Sequence, residues 1–230
     1  MKKSLLITLG LALAPSIYAD SALKTTEQKA SYTLGSDIAN NFRTQGFEID
    51  VKAFSQGLED VLKNQPSKLT EDEMIQAVNK IKERMQKRQV DLRKNAAEAN
   101  LKKGNDFLAE NAKKPGVKSL DGGIQYKVLT KGKGSSPTGN DKITAHYRGT
   151  LINGTEFDSS YGRGTPLEFQ MGTVIKGWGA ALKEMKPGSK WEVYIPADMA
   201  YGKRGAGEAI GPNETLIFTI ELVKFESAKS

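Results

Sequence analysis

The sequence contains no cysteine and only one histidine among its 230 residues. The absence of cysteine excludes disulfide bonds, thiol catalysis, zinc sites built on cysteine and a lipid-modified N-terminal cysteine. His146 belongs to no cluster of histidine and carboxylate residues with the spacing of a metal site, and Ser159 and Ser160 have no base partner in the sequence. The sequence therefore predicts no metal, no cofactor and no covalent catalysis.

Long hydrophobic runs are missing beyond the first 20 residues. Lys2 and Lys3 form a positive region, residues 5–17 are mostly apolar, and Ala19 ends a segment that resembles a cleavage site. No later run approaches the ~20 apolar residues of a transmembrane helix. The sequence predicts a signal peptide over residues 1–19, and hence an exported protein of the periplasm, with the outer membrane or cell surface as further possible locations.

Basic residues exceed acidic ones, and the formal net charge is +7. The excess lies mainly between Asn79 and Lys103, a segment that contains nine Lys or Arg residues and three acidic residues. Such a stripe can contact nucleic acid or an anionic membrane. Because no aromatic residues are interleaved and the chain is predicted to be exported, we expect a solvated helix face and no nucleic acid. Peripheral contact with the outer membrane or host matrix remains an alternative.

The first half of the chain has the periodicity of helices. Apolar residues four apart predict a helix that ends near Gly46, and Asp50 is a candidate N-cap for a second helix. Thr70 and Glu73 have capping-box spacing and start a helix of roughly 40 residues, about 60 Å long. Its second half has few apolar residues and is expected to be an exposed rod. We predict a helical domain over 20–69 and a connecting helix over 70–114.

The helical domain has few large apolar side chains for its size. A unit of about 65 residues with two short amphipathic helices and one apolar seam seldom buries enough surface to fold alone. We therefore expect a homodimer that forms through the N-terminal helices. A small monomeric helical bundle remains the alternative.

Composition changes between Lys113 and Gly123, where Pro and Gly replace helix-forming residues. Alternating apolar residues then predict several strands, and Asn153-Gly154 is a strong hairpin signal. Residues 115–230 are thus expected to form an antiparallel sheet wrapped on one short helix. With the helical segments before it, the fold class is α+β.

The short helix is predicted to begin near Trp178. Val174 and Ile175 precede Gly177 and Trp178, and small residues follow with Leu182 at helical spacing. A tryptophan in the first turn of a central helix is either part of the core or the floor of an apolar pocket. This pattern alone leaves both open.

The joint order of six motifs resembles the FKBP family of peptidyl-prolyl cis/trans isomerases, over about residues 120–225. The motifs are His146-Tyr147-Arg148-Gly149, Asn153-Gly154, Phe157-Asp158-Ser159-Ser160, Val174-Ile175-Lys176-Gly177-Trp178, Ala200-Tyr201-Gly202 and Thr215-Leu216-Ile217-Phe218. With the signal peptide and the N-terminal helices, the whole chain resembles the Mip-like (macrophage infectivity potentiator) subfamily. The resemblance implies a half-barrel sheet around the helix that begins at Trp178, an isomerase domain over 115–230 and an N-terminal dimerisation domain.

The resemblance also implies which residues form a prolyl pocket. Its catalytic residues would be Asp158, Tyr201, Tyr147, Phe157, Trp178 and Phe218. Its substrate-binding residues would be Val174, Ile175, Leu167, Phe169, Ile210 and Arg163. The Tyr201 hydroxyl and the Ile175 N–H would hold substrate carbonyls. Asp158 would either supply a polar group or shape the pocket wall through an ion pair with Arg163.

The implied activity is isomerisation of X-Pro bonds in folding proteins, by non-covalent stabilisation of a twisted prolyl amide. Implied partners are proline-containing polypeptides and macrolide inhibitors of the rapamycin or tacrolimus type. Leu167 stands where the family often has phenylalanine, and Ala206 where some members carry histidine, so contacts of the flap with inhibitors are expected to differ. Two other roles remain open: a holdase chaperone, and a surface factor that binds host matrix or membrane.

Overall fold

The computed structural model describes residues 23–227, which divide after Met85 into two compact units. The predicted signal peptide lies outside the described residues. The first unit contains helices α1 (Thr26–Gln45) and α2 (Val51–Leu62) and the start of α3 (Glu71–Asn111), which ends in the second unit. The domain bounds 20–69, 70–114 and 115–230 stay predictions.

The helix ends follow the capping chemistry of the sequence. Gly46 ends α1 in the left-handed conformation, and the Asp50 carboxylate accepts the Ala53 N–H at 2.9 Å to cap α2. At the start of α3, Thr70 and Glu73 form the predicted capping box, with the Thr70 N–H donating to Glu73 at 2.8 Å. The three predicted helices are thus confirmed, and the side chains of Asp50 and Thr70 cap the starts of α2 and α3.

The first unit leaves its apolar side chains largely uncovered. Neither α1 nor α2 contains a buried residue. Phe42 stacks on Phe47 at 5.0 Å between ring centroids and meets Phe54 edge-on at 6.1 Å. These rings border a groove with apolar walls.

The second unit is built on one seven-stranded antiparallel sheet in the order β1-β2-β6-β7-β3-β4, with β5 pairing β3 beside it. Its strands are β1 (Val117–Ser119), β2 (Gln125–Thr130), β3 (Lys142–Leu151), β4 (Glu156–Ser159), β5 (Leu167–Gln170), β6 (Lys190–Ile195) and β7 (Leu216–Glu226). Helix α4 (Lys176–Glu184) connects β5 to β6. The predicted α+β class and the sheet around one short helix are confirmed.

The core lies between α4 and one face of the sheet. Inward residues alternate along the strands as predicted, and Ile143, Leu216 and Ile220 are fully buried. Helix α4 buries Trp178 and Leu182 against them. Within residues 23–227, no helix combines the length and the apolar character that crossing a membrane requires.

The second half of α3 is not the exposed rod that the sequence predicts. Gly104 and Asn111 are buried, and the Asn111 amide donates to the Gln125 side chain on β2 at 2.9 Å. Phe107 packs against Tyr194 of β6 with ring centroids 5.9 Å apart. The prediction was wrong because, apart from Phe107, the contacting α3 residues named here are small or polar and carry no hydrophobic periodicity.

Candidate functional site

An open cavity of about 540 Å³ lies over the first turn of α4. Ten of the twelve site residues implied by the sequence line it: Tyr147, Phe157, Asp158, Leu167, Val174, Ile175, Trp178, Tyr201, Ile210 and Phe218. The other two, Phe169 and Arg163, contact the lining residues Trp178 and Asp158 from outside it. The structure therefore brings residues from β3, β4, β5, α4, β7, the turn before α4 and the loop after β6 to one place.

Trp178 forms the floor of the cavity and is 4% exposed. Three aromatic rings meet its indole edge-on: Tyr147 at 5.2 Å, Phe218 at 5.3 Å and Phe169 at 5.6 Å between centroids. This is the geometry that aromatic quadrupoles favour, and it holds the indole in one orientation. Trp178 is therefore both part of the core and part of the pocket wall.

The turn into α4 brings the tryptophan close to the sheet. A Cβ at Gly177 would lie 2.4 Å from a side-chain carbon of Ile195, so only glycine allows this approach. Ile175 is the residue before the helix, and its N–H has no hydrogen-bond partner among residues 23–227. The buried Trp178 Nε1 also has none there. The pocket thus offers unused donors beside an apolar floor.

One polar cluster stands at the cavity edge. The Tyr147 hydroxyl donates to Asp158, while Arg163 donates to the Asp158 carboxylate at 2.6 Å and to the Tyr147 oxygen at 2.8 Å. Burial acts to raise the pKa of the Asp158 carboxyl, but the hydrogen bonds from Tyr147 and Arg163 outweigh it and hold that pKa below its ordinary value. Burial, with the bond to Asp158, raises the pKa of Tyr147. At neutral pH the cluster is an ionised carboxylate held by two donors.

Tyr201 also lines the cavity. It is 40% exposed, and its hydroxyl has no partner within the described part of the chain. The segment that follows forms a short loop, in which Ala206 and Ile210 exchange backbone hydrogen bonds of 2.9 and 3.1 Å. This places a free hydroxyl and a small hairpin at the rim.

The loop between Ala206 and Ile210 also contributes lining residues that sequence reasoning did not name as site residues. These are Gly207, Glu208 and Ala209, together with Thr173 before α4. The loop positions lie in the glycine-rich run 202–211, which lacks a phosphate-binding pattern. Gly207 and Ala209 are small and leave no hydrophobic pattern, so their place in the cavity wall carries little sequence information.

Ser160 supports the pocket through hydrogen bonds to the Tyr147 backbone. It is fully buried, its hydroxyl accepts the Tyr147 N–H at 2.8 Å, and its own N–H donates to the Tyr147 carbonyl at 2.9 Å. His146 lies on the other face of β3, half-buried, with Nδ1 3.0 Å from the Ser160 oxygen and its ring stacked on Tyr161. The histidine therefore contacts Ser160 and Tyr161 and does not line the cavity.

Comparison with known proteins places this arrangement in a family. Residues 133–223 match the family described as FKBP-type peptidyl-prolyl cis-trans isomerase, and residues 27–128 match the domain amino terminal to it. The chain belongs to the FKBP-type peptidyl-prolyl cis-trans isomerase family. It is 44% identical over 225 residues to the peptidyl-prolyl cis-trans isomerase Mip of Coxiella burnetii, covering 97% of this chain and 98% of that one.

Two further relatives span nearly the whole isomerase. The outer membrane protein MIP of Legionella longbeachae is 43% identical, over 96% of this chain and 95% of its own. The crystal structure of FkpA from Escherichia coli superposes with a TM-score of 0.78 at 36% identity, covering 90% of this chain and all of that one. The resemblance to Mip-like isomerases is confirmed, and the chain is a peptidyl-prolyl cis-trans isomerase.

Proposed function

We propose that this isomerase is exported and assists the folding of X-Pro-containing proteins by twisting the prolyl amide in the cavity over Trp178. The observation that carries the proposal is the aromatic floor itself. Trp178 is held edge-on by three rings, and the polar side chains with hydrogen bonds at the cavity edge form one cluster around Asp158. Such a pocket suits a proline ring and a neutral amide.

The chemistry follows from the amide bond. Rotation about C–N is slow because resonance holds it planar, against a barrier of ~18–20 kcal/mol. The planar form is charge-separated, and a low-dielectric surface of aromatic rings stabilises it less than water does. The twisted form loses that charge separation, so the pocket favours it. No bond has to form or break.

Polar groups at the rim can hold the rest of the peptide. The Tyr201 hydroxyl and the Ile175 N–H are free donors, and in the proposal they bind the carbonyls on either side of the prolyl bond. The Asp158 carboxylate lies beside the rotating amide and is fixed by Arg163. Lowering the barrier by about 5 kcal/mol would accelerate rotation by between three and four powers of ten.

Two substitutions test these assignments. Asp158→Ala and Tyr201→Phe should each slow isomerisation of a proline peptide, measured by exchange NMR or a protease-coupled assay, while the fold is retained. Matched controls are Glu156→Ala on the same strand and Tyr161→Phe, whose hydroxyl bonds Glu221 at 3.0 Å outside the cavity. Unchanged activity in both site variants would overturn the residue roles.

The same pocket is the proposed site for macrolides of the rapamycin or tacrolimus type. Leu167 and Ala206 line it where a larger aromatic or imidazole ring could contact such a ligand. Saturating rapamycin should therefore abolish catalysis. Restoring an aromatic wall with Leu167→Phe should tighten inhibition, and an unchanged inhibition constant would contradict a wall contact.

The N-terminal unit is proposed to form a homodimer. Its groove, about 470 Å³, is lined by apolar residues of α1 and α2, including Ile38, Phe42 and Leu58. A second copy of the same groove would cover them, since an isolated unit of this size buries too little. Sedimentation of the full chain at micromolar concentration should give a dimer. Phe54→Asp in the groove should dissociate it, whereas Lys52→Asp on the exposed side should not.

The exposed apolar residues of α1 and α2 also favour a second candidate, a holdase that binds partly folded chains. Phe54→Asp should then abolish suppression of aggregation while turnover of a short peptide survives. Retention of both activities would remove the holdase role from this surface.

Export and location are part of the proposal. Fractionation of cells that express the full sequence should place the cleaved protein in the periplasm, and an uncleaved cytoplasmic protein would contradict export. The protein's presence in the outer-membrane fraction would favour the location that the name of the Legionella relative states for that protein.

A further inference from the structure

We infer that the second half of α3 positions the substrate loop of the isomerase. The pocket loop, defined here as residues 201–215, carries one wall of the cavity through Tyr201 and residues 206–210. No strand forms between residues 196 and 215 in the described chain, so the sheet does not hold this segment by strand pairing. The inference rests on the proposed function, because it takes the cavity as the substrate site.

Within the pocket loop, two backbone contacts set the shape. The Asn213 N–H donates to the Gly202 carbonyl at 2.8 Å, which closes the loop at its base. The pair Ala206 and Ile210 closes the tip. The loop is therefore expected to move as one unit. A displacement of residues 211–213 would also displace the turn that follows Tyr201.

Helix α3 holds that base through side chains on one helical face. Arg93 donates to the Arg204 carbonyl at 2.7 Å, and the Asn100 amide donates to the Pro212 carbonyl at 3.0 Å. In the reverse direction, the Asn213 amide donates to the Ala97 carbonyl at 3.1 Å. Positions 93, 97, 100 and 104 follow helical spacing, so they lie along one stripe that faces the loop.

At the end of this stripe, Gly104 allows α3 to approach Thr215 of the pocket loop closely. A Cβ at Gly104 would lie 2.2 Å from the Thr215 hydroxyl oxygen, so glycine is required there. Asn213 is 9% exposed and has a φ of +57°, a conformation that Asn and Gly accept more readily than other residues. Both residues serve the contact between helix and loop, and neither lines the cavity.

Asn100 and Asn213 are therefore positioning residues for Tyr201. Without their donors, the loop base separates from α3 and the Tyr201 hydroxyl loses its fixed place. A group misplaced by about 1 Å can cost up to a hundredfold in rate, so we expect Asn213→Asp to lower kcat/KM about tenfold. Asp keeps the size and the backbone conformation but cannot donate to the Ala97 carbonyl.

The experiment is a double-mutant cycle in the full-length chain. Exchange NMR on a proline peptide gives kcat/KM for the wild type, Asn213→Asp, Tyr201→Phe and the double variant. If Asn213 acts through Tyr201, the Tyr201→Phe change costs less in the Asn213→Asp background than in the wild type. Asn213→Gly, which accepts the same φ, is the second variant should Asn213→Asp not fold.

Lys94→Ala and Lys102→Ala are the helix controls, since both lysines are largely exposed. They should leave kcat/KM unchanged. Full activity of both Asn213 variants, or a Tyr201→Phe effect of equal size in both backgrounds, would overturn the inference. If Tyr201→Phe leaves kcat/KM unchanged in the wild-type background, the proposed role of Tyr201 is overturned, and the inference with it. The two failures are therefore distinguishable.

Discussion

Gly149 lies directly beneath two rings of the pocket, and adding one methyl group there tests the role of the aromatic geometry. A Cβ at this position would lie 2.6 Å from carbons of Phe157 and 2.8 Å from a carbon of Phe218. The two rings pack edge-on with centroids 5.5 Å apart, and Phe218 in turn meets Trp178. Gly149→Ala therefore perturbs the pocket wall without removing any functional group.

The magnitude follows from the distances. Carbon atoms in contact are normally about 3.5–4.0 Å apart, so the rings have to withdraw by about 1 Å. Overpacking of this kind costs about 1–3 kcal/mol of unfolding free energy. For a chain of this size that corresponds to a fall in Tm of about 2–12 °C. Because the displaced rings form the site itself, kcat/KM should fall roughly ten- to a hundredfold.

The assay is exchange NMR on a proline peptide, with thermal unfolding measured on the same samples. Gly179→Ala is the matched control, because it is also near Trp178, in α4, but a Cβ there meets no atom within 4 Å. That control should gain about 0.5–1 kcal/mol of stability and keep its activity. A Gly149→Ala protein that is folded and fully active would refute the claim that ring placement drives catalysis.

Three other predictions concern the polar groups around Tyr147. The fold lowers the pKa of the Asp158 carboxyl, so kcat/KM should stay constant as the pH falls to about 5. The carboxylate should contribute its full stability above its unfolded pKa. That stability should be lost as the pH falls through its folded pKa. Arg163→Ala removes one of the two donors, so the acid limb of the pH–rate profile should move to higher pH; an unmoved limb would mean that another group titrates. Ser160→Ala leaves the buried Tyr147 N–H without its 2.8 Å partner and should cost about 1–3 kcal/mol in chemical denaturation, whereas Ser159→Ala, whose hydroxyl is 3.4 Å from the Tyr147 carbonyl, should cost less.

Much of the fold could be predicted because it is encoded locally. The alternation in β7 buries Leu216, Phe218 and Ile220 on one face, and each helix of the N-terminal unit begins at a side chain that caps it. These patterns depend on period and on residues within a few positions of each other. The strand order, in which β7 lies between β6 and β3, depends on contacts far apart in sequence and was not predicted from periodicity.

The cavity shows the same division. The rings around Trp178 were implied by the sequence motifs, because these aromatic residues are themselves members of the motifs. The packing of α3 on the pocket loop was missed, because it runs through the carbonyls of Ala97, Arg204 and Pro212, and a carbonyl is present at every residue. Gly104, a glycine inside a long helix, was the one sign in the sequence that another chain segment approaches there.

The central claim is that the pocket twists the prolyl amide without moving a proton or forming a covalent bond. The most direct test is kcat/KM of the full chain measured by exchange NMR in H₂O and in D₂O, on the plateau of the pH profile. Noncovalent twisting predicts the same rate in both solvents. A clearly slower reaction in D₂O would show that a proton is transferred in the transition state and would contradict the account.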